Sequence, residues 1–246
     1  MKTPVEHSTK AEEHLRQVLD SGANVDVNDI KAIALWTLDC DSDLTHDWGN
    51  AWLMSGQVWI YYSPWIEGDE LEQYEGVMIG EMSVYRFHHG MAATVIGDCI
   101  DQDLYEAGEA MRIVTEEYDN DELYLDGLYQ PETMGKHRYL LARFDLLPKY
   151  QKKRLGYASL HIGLQAAGCE GFPTFVMPSK IEEDAGWQFL KDFYMGMDAN
   201  TLYVEEFNTV CAPDYNSGRG VLKARQGDSA HNVCEGFEEV EDGDED

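Results

Sequence analysis

In the first half of the chain, the spacing of apolar and polar residues indicates both helices and strands. Residues 9–21 are predicted to form a helix, because Thr9 and Glu12 have capping-box spacing and Gly22 follows as a stop signal. The apolar segment 29–39 fits either a helix or a strand. Strands are predicted, in chain order, for residues 57–62, for 75–87 with a bend at Gly80, and for 91–97.

The second half of the chain alternates helical and strand patterns. After a helix over residues 103–114, the predicted elements are a strand over 137–147, a helix over 155–167, a strand over 172–179, a helix over 182–194 and a strand over 201–207. This order is typical of a mixed α/β fold. From about Cys211 the pattern dissolves, so residues 211–246 are predicted to be an acidic, disordered tail.

The composition supports a sizeable core, since 43% of the 246 residues are apolar. No apolar run is long enough to span a membrane, and the first residues lack the apolar region of a secretory signal. The five cysteines are odd in number and none has metal-ligand spacing, so neither a disulfide framework nor a metal site is predicted. A cytoplasmic location is expected.

The chain is strongly acidic, with 47 Asp and Glu residues against 18 Lys and Arg and a net charge of -29. Such a charge disfavours binding to nucleic acid phosphates and favours a cationic partner. Solubility, or a salt-rich habitat, is the alternative explanation of the surface charge.

Positive charge is concentrated at one predicted strand-to-helix turn. Seven basic residues lie between 136 and 154, and Asp145 is the one acid among them; they are Lys136, Arg138, Arg143, Lys149, Lys152, Lys153 and Arg154. A helix N-terminus has unpaired N–H groups and a partial positive charge, and Gly156 allows a ligand to approach the backbone closely. The turn therefore predicts a site for a phosphorylated ligand. A basic helix start that only balances neighbouring acids is the alternative.

The same turn resembles a motif of the GNAT superfamily of N-acetyltransferases. Residues 146–150, LLPKY, match an apolar–x–Pro–x–Tyr strand end, and residues 151–156, QKKRLG, match the turn that follows it, except that Arg154 replaces the first glycine. The resemblance covers about residues 137–207. It implies a central, mostly antiparallel twisted sheet flanked by helices. Residues 1–210 would form a single domain with an insertion at about 98–132.

The resemblance also implies an acyl-CoA-dependent N-acyltransferase that uses acetyl-CoA as co-substrate. Main-chain groups near Asp145 to Leu147 would align the pantetheine arm and polarise the thioester carbonyl. The cofactor-binding residues implied by the match are Leu146, Leu147, Gln151, Lys152, Lys153, Arg154, Leu155, Gly156, Tyr157 and Ala158.

Three residues are candidates for acid–base catalysis. Glu81, on a predicted strand, and Asp145, beside the implied thioester, are candidate bases. The family has a tyrosine acid in the helix after the short strand, but Leu190 stands at the best-aligned position, so Tyr194, one turn later, is the candidate acid. Glu81 as a solvent-facing residue and Tyr194 as a packing residue are the alternatives.

The acceptor is predicted to be a cationic amine, either a small polyamine-like molecule or a lysine of a basic protein. Segment 98–132 combines many acids with tyrosines, and both attract cations. An exposed acidic segment without a ligand is the alternative. The alternative function is a catalytically degenerate GNAT-fold protein that serves as an acidic interaction module or a nucleic acid mimic. The sequence leaves open whether the chain is a monomer or a homodimer.

Overall fold

The structure is a computed structural model of the chain. It describes residues 4–38, 53–66, 74–88, 137–176, 185–197, 201–205, 208–212 and 215. The predicted strand over 91–97, the helix over 103–114 and the insertion at about 98–132 lie outside the described residues.

Eight strands and three α-helices are formed by the described residues. The strands are β1 (Glu6–His7), β2 (Ile30–Leu38), β3 (Leu53–Tyr62), β4 (Glu75–His88), β5 (His137–Leu146), β6 (Thr174–Val176), β7 (Leu202–Val204) and β8 (Thr209–Ala212). The helices are α1 (Thr9–Asp20), α2 (Gly156–Ala166) and α3 (Ala185–Met195), with 3-10 turns at Val27–Asp29 and Pro148–Tyr150.

All eight strands belong to one sheet, in which the order along the main path is β2-β3-β4-β5-β6-β8-β7 and the short β1 pairs with the start of β4. The β5–β6 and β1–β4 pairs are parallel, and every other pair is antiparallel. A parallel pair needs a crossover connection, which α2 supplies between β5 and β6. The predicted mixed α/β class with a mostly antiparallel sheet is confirmed.

The helices pack against one hydrophobic core. Helix α1 is capped by the Ser8 side chain, which accepts a hydrogen bond from the Ala11 N–H, so the cap lies one residue before the predicted Thr9. Ala11 and Leu15, one turn apart, are buried on its core side. Helix α2 approaches the sheet closely at Gly163, where a Cβ would lie 2.5 Å from the Met82 methyl group.

Several predicted elements have different bounds in the structure. The ambiguous segment 29–39 is strand β2, and β3 begins four residues before the predicted strand at 57. Within the predicted strand 172–179, Thr174–Val176 form β6, and residues 177–179 lie outside the described part of the chain. The last predicted strand, 201–207, is shorter, and β8 follows it.

The predicted domain boundary at residue 211 lies inside the fold. Cys211 and Ala212 belong to β8, which pairs with both β6 and β7, and Tyr215 is fully buried in the core. The folded part of the chain thus extends at least to Tyr215. Residues 216–246 lie outside the described part of the chain. No helix among the described residues is long and apolar enough to cross a membrane.

Candidate functional site at the end of strand β5

The connection from β5 to α2 is held against the sheet by the residues of the motif. The Leu147 N–H donates to the Ile79 carbonyl over 2.9 Å, and Pro148 then begins the 3-10 turn. Tyr150 is buried in the core. The Gln151 side-chain amide donates back to the Leu146 carbonyl over 2.9 Å. These contacts fix the position at which the turn leaves the sheet.

The backbone of the turn adopts the left-handed conformation twice. Lys152 has φ 58° and Arg154 has φ 60°. Leu155 follows in the right-handed helical region and caps α2 without a side-chain hydrogen bond. A left-handed residue followed by a right-handed one, as at Arg154 and Leu155, turns successive N–H groups toward one side, an arrangement that favours anion binding. The first N–H groups of the helix add to it, because helix starts leave them without intrahelical partners.

The basic cluster separates into paired and unpaired side chains. Lys149 forms an ion pair with Glu12 at 2.8 Å, and Arg143 pairs with Asp145. Arg138 is buried in β5, whereas Lys136 lies outside the described residues. The remaining three side chains are exposed and form no ion pair within the described part of the chain; they are Lys152, Lys153 and Arg154. These three are available to an anionic ligand at the turn.

A cleft of about 370 Å³ lies between α1 and the basic turn. Its walls carry charges of both signs, and Lys153 belongs to both the cleft and the turn. The lining residues are Thr9, Glu12, Glu13, Arg16, Leu19, Asp20, Lys149, Tyr150 and Lys153. The pKa of Glu12 is lowered, first by its hydrogen bond from Lys149 and then by the charge of Lys149. A ligand in this cleft therefore meets ionised carboxylates as well as cations.

The two candidate bases are direct neighbours in the sheet. Glu81 on β4 pairs with Asp145 on β5, so both side chains leave the same face. Their side chains are 40% and 48% exposed. The Arg143 guanidinium hydrogen-bonds Asp145 and lies 3.8 Å from a Glu81 carboxylate oxygen. The structure brings the two carboxylates together. Both are partly exposed to solvent, and Arg143 already contacts them.

Arg143 is a site residue that the sequence did not predict. The signal was present in the chain, because Arg143 and Asp145 are two residues apart on a strand and must share a face. Its contact with Glu81 depended on strand register, which the sequence alone does not provide. The pKa of Arg143 is raised, first by its hydrogen bond to Asp145.

Tyr194 lies close enough to this pair to be affected by its charge. Burial raises the pKa of the Tyr194 phenol, and the negative charge of Asp145 raises it further. Tyr194 is only 7% exposed and packs edge-on against Phe193, with ring centroids 5.2 Å apart. The phenol therefore stays protonated at neutral pH, while its ring belongs to the core.

The residues that open α2 serve packing with their side chains and leave only their main chain for a ligand. Leu155, Tyr157 and Ala158 are all buried. The Tyr157 hydroxyl donates to the Phe193 carbonyl over 3.1 Å, which ties the start of α2 to α3. A Cβ on Gly156 would lie 3.2 Å from the Phe193 ring. The absence of a side chain at Gly156 therefore makes room for the Phe193 ring. That Gly156 also lets a ligand approach the backbone stays a prediction.

A buried polar pair lies deeper in the same helix. His161 and Tyr215 are both fully buried, and the His161 Nδ1 atom forms a short hydrogen bond with the Tyr215 hydroxyl. Tyr215 belongs to the segment predicted as a tail, so this pair was not predicted. No group of three or more potential metal ligands occurs within the described residues.

Comparison of the chain with protein-family models, with curated proteins and with solved structures gives no match. The GNAT resemblance therefore rests on the residues of the turn and on the layout of the elements around it. The acidic segment 98–132, predicted to attract the acceptor, lies outside the described residues.

Proposed function

We propose that the chain is an acyl-CoA-dependent N-acyltransferase with a GNAT-like fold, which transfers acetyl from acetyl-CoA to a cationic amine. One observation carries this proposal. The turn at Lys152–Leu155 combines left-handed backbone, an uncapped helix start and three exposed cations without ion pairs in the described part of the chain. These features together favour a phosphate-bearing ligand.

The layout around the turn supports the family resemblance. The turn joins β5 to α2, and the chain returns in β6 parallel to β5 before α3 and the last two strands. Pairing of β5 with β6 covers only Tyr139 to Leu141 of the described residues. The later part of β5 continues to Leu146. No described strand pairs with it on the side that faces β6. Its main chain is the place where the pantetheine arm would align.

The family resemblance and the geometry of the turn support the following proposed roles. Main-chain N–H groups of residues 152–158, with the side chains of Lys152, Lys153 and Arg154, bind the pyrophosphate. The amine nitrogen loses a proton, forms a bond to the thioester carbonyl carbon, and the C–S bond breaks. The thiolate of coenzyme A then takes up a proton. Positioning of the two reactants supplies much of the rate in such a reaction.

Asp145 and Glu81 are the proposed bases, and Tyr194 is the proposed acid. The two carboxylates form one half-exposed acidic pair beside the end of β5, which suits the attraction of a protonated amine. Arg143 competes for the same carboxylates, so a cationic acceptor must displace its guanidinium. The protonated Tyr194 phenol is a hydrogen-bond donor near Asp145.

An acetyl-transfer assay tests this function. Thiol release from acetyl-CoA is followed with spermidine and with a lysine-rich peptide as acceptors. We expect the Lys152→Ala/Lys153→Ala variant to raise KM for acetyl-CoA with little change in kcat. Asp145→Asn and Glu81→Gln should lower kcat by about 10²-fold if either is the base. Lys31→Ala, which removes a lysine from strand β2 and not from the turn, is the control. Absence of transfer to either acceptor would contradict the proposal for these acceptor classes.

The burial of Tyr194 favours a second candidate function. A phenol that is only 7% exposed has little access to a leaving thiolate, and Arg154 occupies the glycine position of the motif. A catalytically degenerate protein that binds a basic partner through its acidic surface accounts for both features. Salt-sensitive binding of the lysine-rich peptide, without thiol release, would support this candidate over the enzyme.

A further inference from the structure

Five aromatic rings form a continuous stack that runs from the end of β5 to Tyr215. Phe144 on β5 stacks on Phe193 of α3, with ring centroids 6.2 Å apart and an angle of 5° between the planes. Phe193 stacks on Tyr157 of α2 at 4.6 Å. Tyr157 stacks on His161 at 6.3 Å, and His161 stacks on Tyr215 at 5.7 Å. The ring stack thus joins elements that are far apart in the sequence.

The near end of the ring stack borders each part of the proposed site. Phe144 precedes Asp145 on β5, Phe193 precedes Tyr194 on α3, and Tyr157 lies in the first turn of α2. The Tyr157 hydroxyl also donates to the Phe193 carbonyl over 3.1 Å. A shift of Tyr157 would therefore move the first N–H groups of α2, to which the proposed function assigns phosphate binding.

The far end of the ring stack is fixed by main-chain and side-chain contacts. The Gly171 N–H donates to the Tyr215 carbonyl over 2.9 Å, and the Tyr215 N–H donates to the Phe172 carbonyl over 3.4 Å. The Tyr215 hydroxyl and the His161 Nδ1 atom share a hydrogen bond, and both residues are fully buried. The two rings lie at 8° to each other, so the His161 ring presents a fixed face to Tyr157.

The polar character of the His161–Tyr215 pair is not needed for packing. Apolar side chains of similar volume fill a core without the cost of burying polar groups. A hydrogen bond has a preferred direction, so it sets the rotation of a ring in a way that apolar packing does not. Buried polar groups are retained in some proteins because they specify one arrangement. The pair is therefore suited to positioning.

We propose that His161 and Tyr215 are positioning residues for the start of α2. Their hydrogen bond fixes the His161 ring, the packed rings transmit this position to Tyr157, and Tyr157 fixes the first turn of the helix. That this turn binds a phosphate-bearing ligand rests on the proposed function. Tyr215, in the segment predicted as a tail, thereby contributes to the site.

Hydrogen exchange at the Ser159 amide tests this inference without a ligand. The Ser159 N–H donates to the Leu155 carbonyl over 2.9 Å, so its exchange reports opening of the first turn of α2. Tyr215→Phe keeps the ring and removes the hydroxyl. We expect exchange at Ser159 to become about tenfold faster, relative to the core amide of Val58.

Tyr62→Phe is the matched control. Tyr62 is also buried, stacks on His14 with ring centroids 6.1 Å apart, and hydrogen-bonds the His14 Nδ1 atom over 2.8 Å, outside the five-ring stack. Both variants thus remove a tyrosine hydroxyl from a stacked Tyr–His pair. Faster exchange at Ser159 is expected in Tyr215→Phe alone, and equal exchange in the two variants would overturn the inference.

A double variant separates positioning from stability. His161→Phe/Tyr215→Phe removes both polar partners together, so neither is left buried without the other. We expect this variant to unfold at about the same temperature as the unmodified chain and still to exchange faster at Ser159. Unchanged exchange at Ser159 in the double variant would show that the pair serves stability alone, and would overturn the inference.

Titration with inorganic pyrophosphate connects the inference to the proposed function. Tyr215→Phe should weaken pyrophosphate binding by about fivefold, and Tyr62→Phe should leave it unchanged. Equal binding to both variants and to the unmodified chain would retain the phosphate site and overturn the positioning role. If the unmodified chain does not bind pyrophosphate, the proposed phosphate site is wrong, and exchange at Ser159 still decides the positioning role.

Discussion

Glu81 and Asp145 lie directly opposite each other on neighbouring antiparallel strands. Two carboxylates in this position repel each other, and Arg143 offsets the repulsion by contacting both. Arg143, which stabilises the carboxylate pair, occupies the position proposed for the cationic acceptor. The stability of the pair and the proposed function are therefore linked.

Replacing Arg143 by alanine should expose this repulsion. All three side chains are partly exposed, so we expect a loss of about 1 kcal/mol or less in the free energy of unfolding. Adding Glu81→Gln to Arg143→Ala should recover part of the loss, because one of the two charges is removed. Urea denaturation at low ionic strength measures both effects. Equal losses in the single and double variants would show that Arg143 does not act through the carboxylates.

Arg154→Gly should stabilise the protein slightly. Arg154 holds a left-handed backbone conformation that costs a residue with a Cβ about 1–2 kcal/mol, and glycine adopts it freely. The greater entropy of glycine in the unfolded chain offsets about 0.5–1 kcal/mol of that gain. Thermal unfolding measures the net effect. Arg154→Ala, which loses the same charge but keeps the Cβ, should show no such gain; equal stability of the two variants would argue against backbone strain.

Gly80→Ala should destabilise the sheet beside the carboxylate pair. A Cβ on Gly80 would lie 2.6 Å from the Asp145 carbonyl oxygen, and this main-chain atom cannot move without disturbing the β4–β5 pair. We expect a loss of about 1–3 kcal/mol in the free energy of unfolding. Gly156→Ala is a milder control, since its Cβ meets the Phe193 ring at 3.2 Å. The two variants should differ clearly in urea denaturation, and equal losses would contradict the close approach at Gly80.

The Lys149–Glu12 ion pair should make part of the stability dependent on pH. The pKa of Glu12 is lowered in the folded protein, first by the hydrogen bond from Lys149. A carboxyl with a lowered folded pKa contributes stability above its ordinary value of 4.5, and the contribution is lost as the pH falls through the folded value. Lys149→Met should therefore be less stable than the unmodified protein at pH 7, and the gap should narrow below about pH 4.

Lys152→Met is the matched control for this pH series. It makes the same change in net charge at a side chain that forms no ion pair within the described residues. The difference in free energy of unfolding between this variant and the unmodified protein should not change over the pH range in which Glu12 titrates. If both variants gave the same pH profile, the effect would belong to net charge and not to the pair.

The sequence predicted those elements whose pattern is local. The strand at 137–147 and the helix at 155–167 were found because their apolar residues recur at the spacing of one element. Segment 29–39 remained ambiguous because a short apolar run suits a buried strand or a helix equally. Strand β8 was missed, since four residues carry little periodicity and its pairing partners β6 and β7 decide its conformation.

The candidate site was predictable in location and less so in detail. The motif at 146–156 located the turn. The positive φ at Arg154 explains why the family motif has glycine at this position. The contact of Arg143 with Glu81 depends on the β4–β5 register, which shifts between Ser83 and Val84. The contact of Gly156 with Phe193 depends on the packing of α3. Such relations between distant parts of the chain are not encoded in local spacing.

Calorimetric titration of the full chain with acetyl-CoA tests the central claim most directly. We predict micromolar binding that Lys152→Ala/Lys153→Ala weakens by about tenfold or more, as expected for the loss of charge-assisted contacts to phosphate. Lys149→Ala, whose lysine is already paired with Glu12, serves as the control and should change the affinity less. If acetyl-CoA binds only to the Arg154→Gly variant, the turn is an anion-binding site, but the native chain is not an acyl-CoA enzyme. If neither the unmodified chain nor the Arg154→Gly variant binds acetyl-CoA, the proposed function is wrong.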